Sequence, residues 1–253
     1  MKRLLIAAAM ACLSACSPPV AQEEAYNGPP NLDGVMLPLG DMAEHRMEAL
    51  TQSGARWCTE DSVWCVEGGT VMASFMPGSP PIALPSEGEV WPAIIRDGET
   101  ALVGVISADE QMYSGGGGSA QHLTLYEIAG GAAREVLRMP YAASAMIRAC
   151  FSEEDETTRA GACHDEYAFV TRIFIDETNT SPAPVIMLET AAGSYPGPVT
   201  RAQDSAERGP LTQADLVWAQ DETCTFSRTY TRGPDGLYAP DQPLPGCSDY
   251  LEP

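Results

Sequence analysis

The sequence predicts an all-β domain stapled by disulfides, either an antiparallel sandwich or a small, irregular propeller-like β domain. Three observations carry that expectation. Short apolar or alternating runs recur along the chain with turn-forming residues between them. Glycine (23) and proline (21) together make about 17% of the 253 residues, against roughly 12% in average usage. Beyond the N-terminal segment six cysteines remain, an even count that falls into three sequence-local couples. The length suits one large domain or two small ones. A 44% hydrophobic content is too high for a wholly disordered chain. A mean hydropathy of -0.13 excludes a bundle of membrane-spanning helices.

The first element is an address. Lys2 and Arg3 form a positive start, and residues 4–13 form an apolar run too short to span a bilayer permanently. Leu13, Ser14, Ala15 and Cys16 follow. This stretch resembles the N-terminus of bacterial lipoprotein precursors, whose lipobox reads Leu-small-small-Cys. The resemblance covers residues 1–16 only. It implies that residues 1–15 are removed as a signal peptide and that Cys16 is lipidated, with palmitate among its acyl chains. It also implies anchoring in the bilayer without a transmembrane helix. Ser17, where an inner-membrane lipoprotein often carries Asp, implies delivery to the outer membrane, facing the periplasm. Residues 16–31 contain Pro18, Pro19, Glu23, Glu24, Pro29 and Pro30 without hydrophobic periodicity. They read as a semi-extended tether of about 45 Å at ~3 Å per residue. The globular domain is expected over residues 32–253.

Residues 41–50 read as a short helix, with Asp41 as N-cap and Met42, Met47 and Leu50 as its apolar stripe. Residues 56–59 and 63–66 read as the arms of a hairpin turning through Glu60, Asp61 and Ser62. If Cys58 faces Cys65, then Thr59 faces Trp64 and Trp57 faces Val66. Both tryptophans then lie away from the sulfurs, on a core; a ligand-stacking platform is the lesser alternative. Residues 101–106 form a continuous apolar run, a buried strand. The run 114–119, with four consecutive glycines, is linker-like: a place to subdivide the domain or, more simply, a hairpin loop within it. Residues 123–128 and 134–139 flank Gly130 and Gly131 as a second hairpin. Residues 167–175, 185–188 and 224–232 read as further strands. In the last, Thr225, Ser227, Thr229 and Thr231 alternate with Cys224, Phe226, Arg228 and Tyr230.

The cysteine couples predict the bridges Cys58–Cys65, Cys150–Cys163 and Cys224–Cys247, as suits an oxidising compartment. Cys12 leaves with the signal peptide. A zinc site is the rival reading, but no Cys-x-x-Cys occurs and the histidines are scattered. The third bridge predicts that the Pro- and Gly-rich tail folds onto the body, with Tyr250 and Leu251 buried near Phe226 and Tyr230.

Charge and motifs narrow the function. After loss of residues 1–15 the chain holds 12 arginines against 35 acids, a net of -23, and no lysine at all. That disfavours nucleic acid and anionic lipid as partners. It also removes Schiff-base and phosphate-loop lysines. There is no Gly-x-Ser-x-Gly and no His-Glu-x-x-His. His45, His122 and His164 fall in no triad spacing, and with every thiol paired no catalytic residue is assigned. Glu153 and Asp155, within the acidic run 153–156, are the calcium candidates, although the run lacks the alternation that aims oxygens at one ion. The other side of that reading is a solvated hairpin tip. No cofactor is expected. The reading is a membrane-tethered, non-enzymatic binding or structural module of the cell envelope. The alternatives are a carboxylate-dependent hydrolase of envelope glycans and an acidic inhibitor of a cationic hydrolase such as lysozyme, which would be a cationic protein partner.

Overall fold

A computed structural model describes residues 27–32, 45–74, 78 and 80–252. The expected signal peptide, Cys16 and most of the expected tether lie outside the described residues. The chain is overwhelmingly antiparallel β, in two sheets.

Strand β1 (His45–Ala49) belongs to the larger sheet. The smaller sheet is a meander of β2 (Thr51–Ser53), β3 (Arg56–Cys58), β4 (Trp64–Glu67), β5 (Thr70–Ala73) and β6 (Ile82–Ala83). The chain then returns to the larger sheet through β7 (Glu89–Asp97), β8 (Thr100–Tyr113), β9 (Gly116–Ala129) and β10 (Ala132–Arg148). A short helix α1 (Glu153–Thr158) precedes β11 (His164–Ile175) and β12 (Ile186–Tyr195). The C-terminal part adds β13 (Ala219–Gln220), β14 (Ser227–Arg232), β15 (Tyr238–Pro240) and helix α2 (Ser248–Leu251). The larger sheet runs β1-β7-β8-β9-β10-β11-β12-β14-β15, with β13 beside β12.

The expected helix over 41–50 is corrected by β1. Residues 41–44 lie outside the described residues, and His45–Ala49 pairs with β7 from His45↔Asp97 to Ala49↔Ala93. Met47 and Leu50, three apart, looked like one helical face. In extended chain an odd spacing places side chains on opposite faces. Met47 enters one apolar cluster and Leu50 another.

Three cores result. The first lies inside the large sheet, which doubles over at β10. The register of β10 slips between Pro140 and Ala142. The residues before the slip pair only with β9; those after it pair with β9 and β11. Ile173, Ile175, Ile186, Leu188 and Tyr230 therefore return over Met47, Leu102, Leu123, Leu125 and Met139. Arg134 of β10 donates to the carbonyls of Asp235 and Gly236, and Glu127 pairs with both Arg134 and Arg232. The second core joins the two sheets face to face. Leu50, Trp64, Val66, Val71 and Ile82 pack against Ile94, Val103, Val105, Tyr126 and Ile128. This is the sandwich arrangement. The third core sits under the C-terminal segment, where Tyr167, Phe169, Ala192, Cys224, Cys247 and Tyr250 meet.

The three expected cysteine couples are at bonding distance, with Cα separations of 4.1 Å for Cys58–Cys65, 4.8 Å for Cys150–Cys163 and 5.8 Å for Cys224–Cys247. The first hairpin has the expected register: Cys58 opposes Cys65 and Trp57 opposes Val66. Trp64 is fully buried in the second core, so it serves as packing and not as a ligand platform. The C-terminal tail is part of the body: α2 seats Tyr250 edge-on to Tyr167, with ring centroids 6.2 Å apart.

Candidate functional site

The large sheet leaves one face bare. In β8 to β12 the registers line up two neighbouring rows. Glu110, Ser119, Ser144, Ala168 and Gly193 form one; Met112, Gly117, Met146, Glu166 and Tyr195 form the other. Rows two residues apart share a face. Arg148 and His164 begin the next row. Glycine, serine and alanine make the floor and larger side chains the rim, so the face is a groove of about 700 Å³. Trp218 and Pro29 close its far side.

The glycine run does turn a hairpin, as expected, but a tighter one. The turn is Ser114 and Gly115, while Gly116, Gly117 and Gly118 lie inside β9 and pair on both sides. Close approach explains two of the glycines. A Cβ on Gly116, at φ +151°, would fall 1.9 Å from the Met146 carbonyl oxygen. One on Gly117 would fall 2.4 Å from the Met112 sulfur, which lies across that bare backbone. Met112 is 82% exposed and Met146 48%.

Residues 27–32 are seated beside this groove. The Asn27 side-chain oxygen accepts a hydrogen bond from the Trp218 backbone N–H at 3.1 Å. Pro30 lies against Gly193, its Cγ 3.0 Å from where a Cβ would stand. Trp218 in turn packs on Tyr195, with ring centroids 6.0 Å apart.

The chemistry of the groove is sparse. Its two carboxylates, Glu110 and Glu166, stand on strands three spacings apart, about 14 Å between backbones. His164 lines it beside Arg148, whose Nε donates to the Cys150 carbonyl at 2.7 Å. His122 lies further along β9. Burial, with Arg138 adding repulsion, pushes its pKa below the ordinary histidine value. His45 lies in β1, which pairs with β7 at the other edge of the sheet.

The expected hairpin tip around Glu153 and Asp155 is corrected. The run 153–156 is the first turn of α1 and not an extended hairpin tip. Ser152 caps the helix by accepting from the Asp155 N–H at 3.2 Å, and Asp155 accepts from the Phe151 N–H at 2.8 Å. The Phe151 amide, then the Ser152 hydroxyl, hold the Asp155 carboxyl below its usual range. Acids suit a helix N-terminus, where unpaired N–H groups and the dipole favour negative charge. Glu153 and Asp155 thus serve the helix start. Among the described residues no three His, Cys, Asp or Glu side chains form a group that could hold a metal.

The sequence missed Met112, Met146 and Trp218. Residues 109–113 carry no apolar alternation, and only the registers show Met112 and Met146 flanking Gly117. No family model, curated protein or solved structure matches this chain.

Proposed function

We propose that the protein is a lipid-anchored module of the cell envelope that binds through the bare face of β8 to β12 and performs no covalent chemistry of its own. The observation that carries the binding role is that face: a glycine-floored groove rimmed by exposed Met112 and Met146 and by Trp218. A sheet face that served only stability would be covered or polar. The lipobox at Leu13, Ser14, Ala15 and Cys16 supports the anchor, and with it an envelope location, outer membrane by the residue after the cysteine. The absence of lysine after Lys2 and the excess of acids argue against a nucleic-acid partner.

The anchor is tested by palmitate labelling of the wild type and Cys16→Ala. The variant should lose both the label and normal processing. Labelling and maturation equal to wild type would overturn the lipoprotein reading.

A further inference from the structure

Seven large apolar side chains are exposed among the described residues; Met112, Tyr113 and Met146 line the groove, and Phe151 and Val217 stand next to the lining residues Arg148 and Trp218. Met112 and Tyr113 lead into the β8–β9 turn. Phe151, 68% exposed, lies under the Arg148 guanidinium at 5.1 Å, where β10 ends. Val217 precedes Trp218. The other two, Leu237 and Leu244, lie elsewhere; Leu237 is in the β14–β15 turn, near Arg134 at the start of β10. The apolar surface is therefore gathered at one end of the molecule.

The chain enters the described structure at that same end, with Asn27 fixed to Trp218. Eleven residue steps separate Cys16 from Asn27. Fully extended they span at most about 40 Å. We infer that this end of the protein, led by Met112, Tyr113 and Phe151, inserts into the headgroup region of the bilayer that holds the Cys16 acyl chains. The inference rests on the lipid-anchor reading and deepens it by naming the surface the face meets.

The chemistry fits an uncharged lipid surface. Tyr113 is an amphipathic side chain of the kind that settles at a membrane interface, and methionine and phenylalanine supply apolar area. Glu110 and Glu166 in the groove and the exposed acids of α1 beside Phe151 repel an anionic surface, so the match is to zwitterionic lipid. The tether makes contact an intramolecular event, so a patch too weak to bind from solution still engages.

The test uses the full acylated chain in brominated phosphatidylcholine vesicles, with Tyr113→Trp as probe and Leu237→Trp as the remote, exposed control. Fluorescence added by each substitution is read against the parent chain. The expected result is at least a threefold loss of the added signal at position 113 and none at 237. A chain that floats with the vesicles while both probes stay bright overturns the inference and leaves the anchor standing. Equal quenching at both positions also overturns it. A chain that does not float with the vesicles overturns the anchor and the inference together.

Discussion

Arg159 and Asp165 form an ion pair in the protein interior, with side-chain exposures of 4% and 2%. Arg159 Nε also donates to the Ala162 carbonyl at 2.8 Å, and Ser205 donates its hydroxyl to Asp165. The pair thereby joins the end of α1, the start of β11 and the loop after β12. Removing one partner leaves a buried charge uncompensated, so Asp165→Asn or Arg159→Ala should cost about 3–5 kcal/mol in urea unfolding. A cost below about 1 kcal/mol would show that water reaches the surviving charge. Asp61 provides a pH-dependent counterpart. Burial alone would raise its pKa, but hydrogen bonds from the Thr59 hydroxyl, the Val63 amide and Arg96 prevail and lower it from 3.8 to about 2. The folded state therefore releases this proton more readily than the unfolded state. The stability it contributes is present above pH 3.8 and is lost as pH falls toward about 2. Asp61→Asn should flatten the stability profile across that window, measured by melting at stepped pH. Asp61 is 44% exposed, so the effect is small and should shrink with added salt.

The elements differ in how openly the sequence announces them. The Cys58–Cys65 hairpin was legible down to its register, because a separation of seven with a turn inside it leaves one way to oppose the sulfurs. The hairpin about Gly130 and Gly131 was legible from its two turn glycines between apolar runs. Strand β1 was not. Its two core contacts lie on opposite faces, and a spacing of three is shared by one helical face and two strand faces. Helix α1 was legible in principle, since Ser152 with Asp155 three residues later is a helix-start signature. The four consecutive acids around it read instead as a solvated hairpin tip. The bare face could not be read at all, because it is made by registers between strands far apart in sequence. The tail was readable from its cysteine. Deleting everything after Pro243 removes Cys247 and Tyr250 and opens a bridge worth about 3–4 kcal/mol in the chain-entropy view. The expected outcome is a melting temperature several degrees lower, with Cys224 open to alkylation. An unchanged melting curve would mean that α2 merely rests on the third core.

The whole molecule is a sheet folded onto itself, covered on one side by a small meander and on the other by its own C-terminus. Three cysteine pairs at bonding distance account for all six described cysteines, so no thiol should be free among them. Alkylation under denaturing, non-reducing conditions should leave all six unlabelled, and proteolysis should yield only the three local cross-linked pairs. A peptide joining Cys58 to Cys224 would contradict the fold as described.

The bridges close spans of 7, 13 and 23 positions, and each cysteine's partner is its neighbour in cysteine order. Six thiols allow 15 complete pairings. A chain that emerges N-terminus first into an oxidant presents Cys58 and Cys65 before the other four cysteines of the folded body, then Cys150 and Cys163, then the last couple. Short loops also close at lower entropic cost than long ones. Pairing in order of appearance therefore gives the native set at once. Maturation of this protein should need an oxidant but no enzyme that reshuffles wrong bridges.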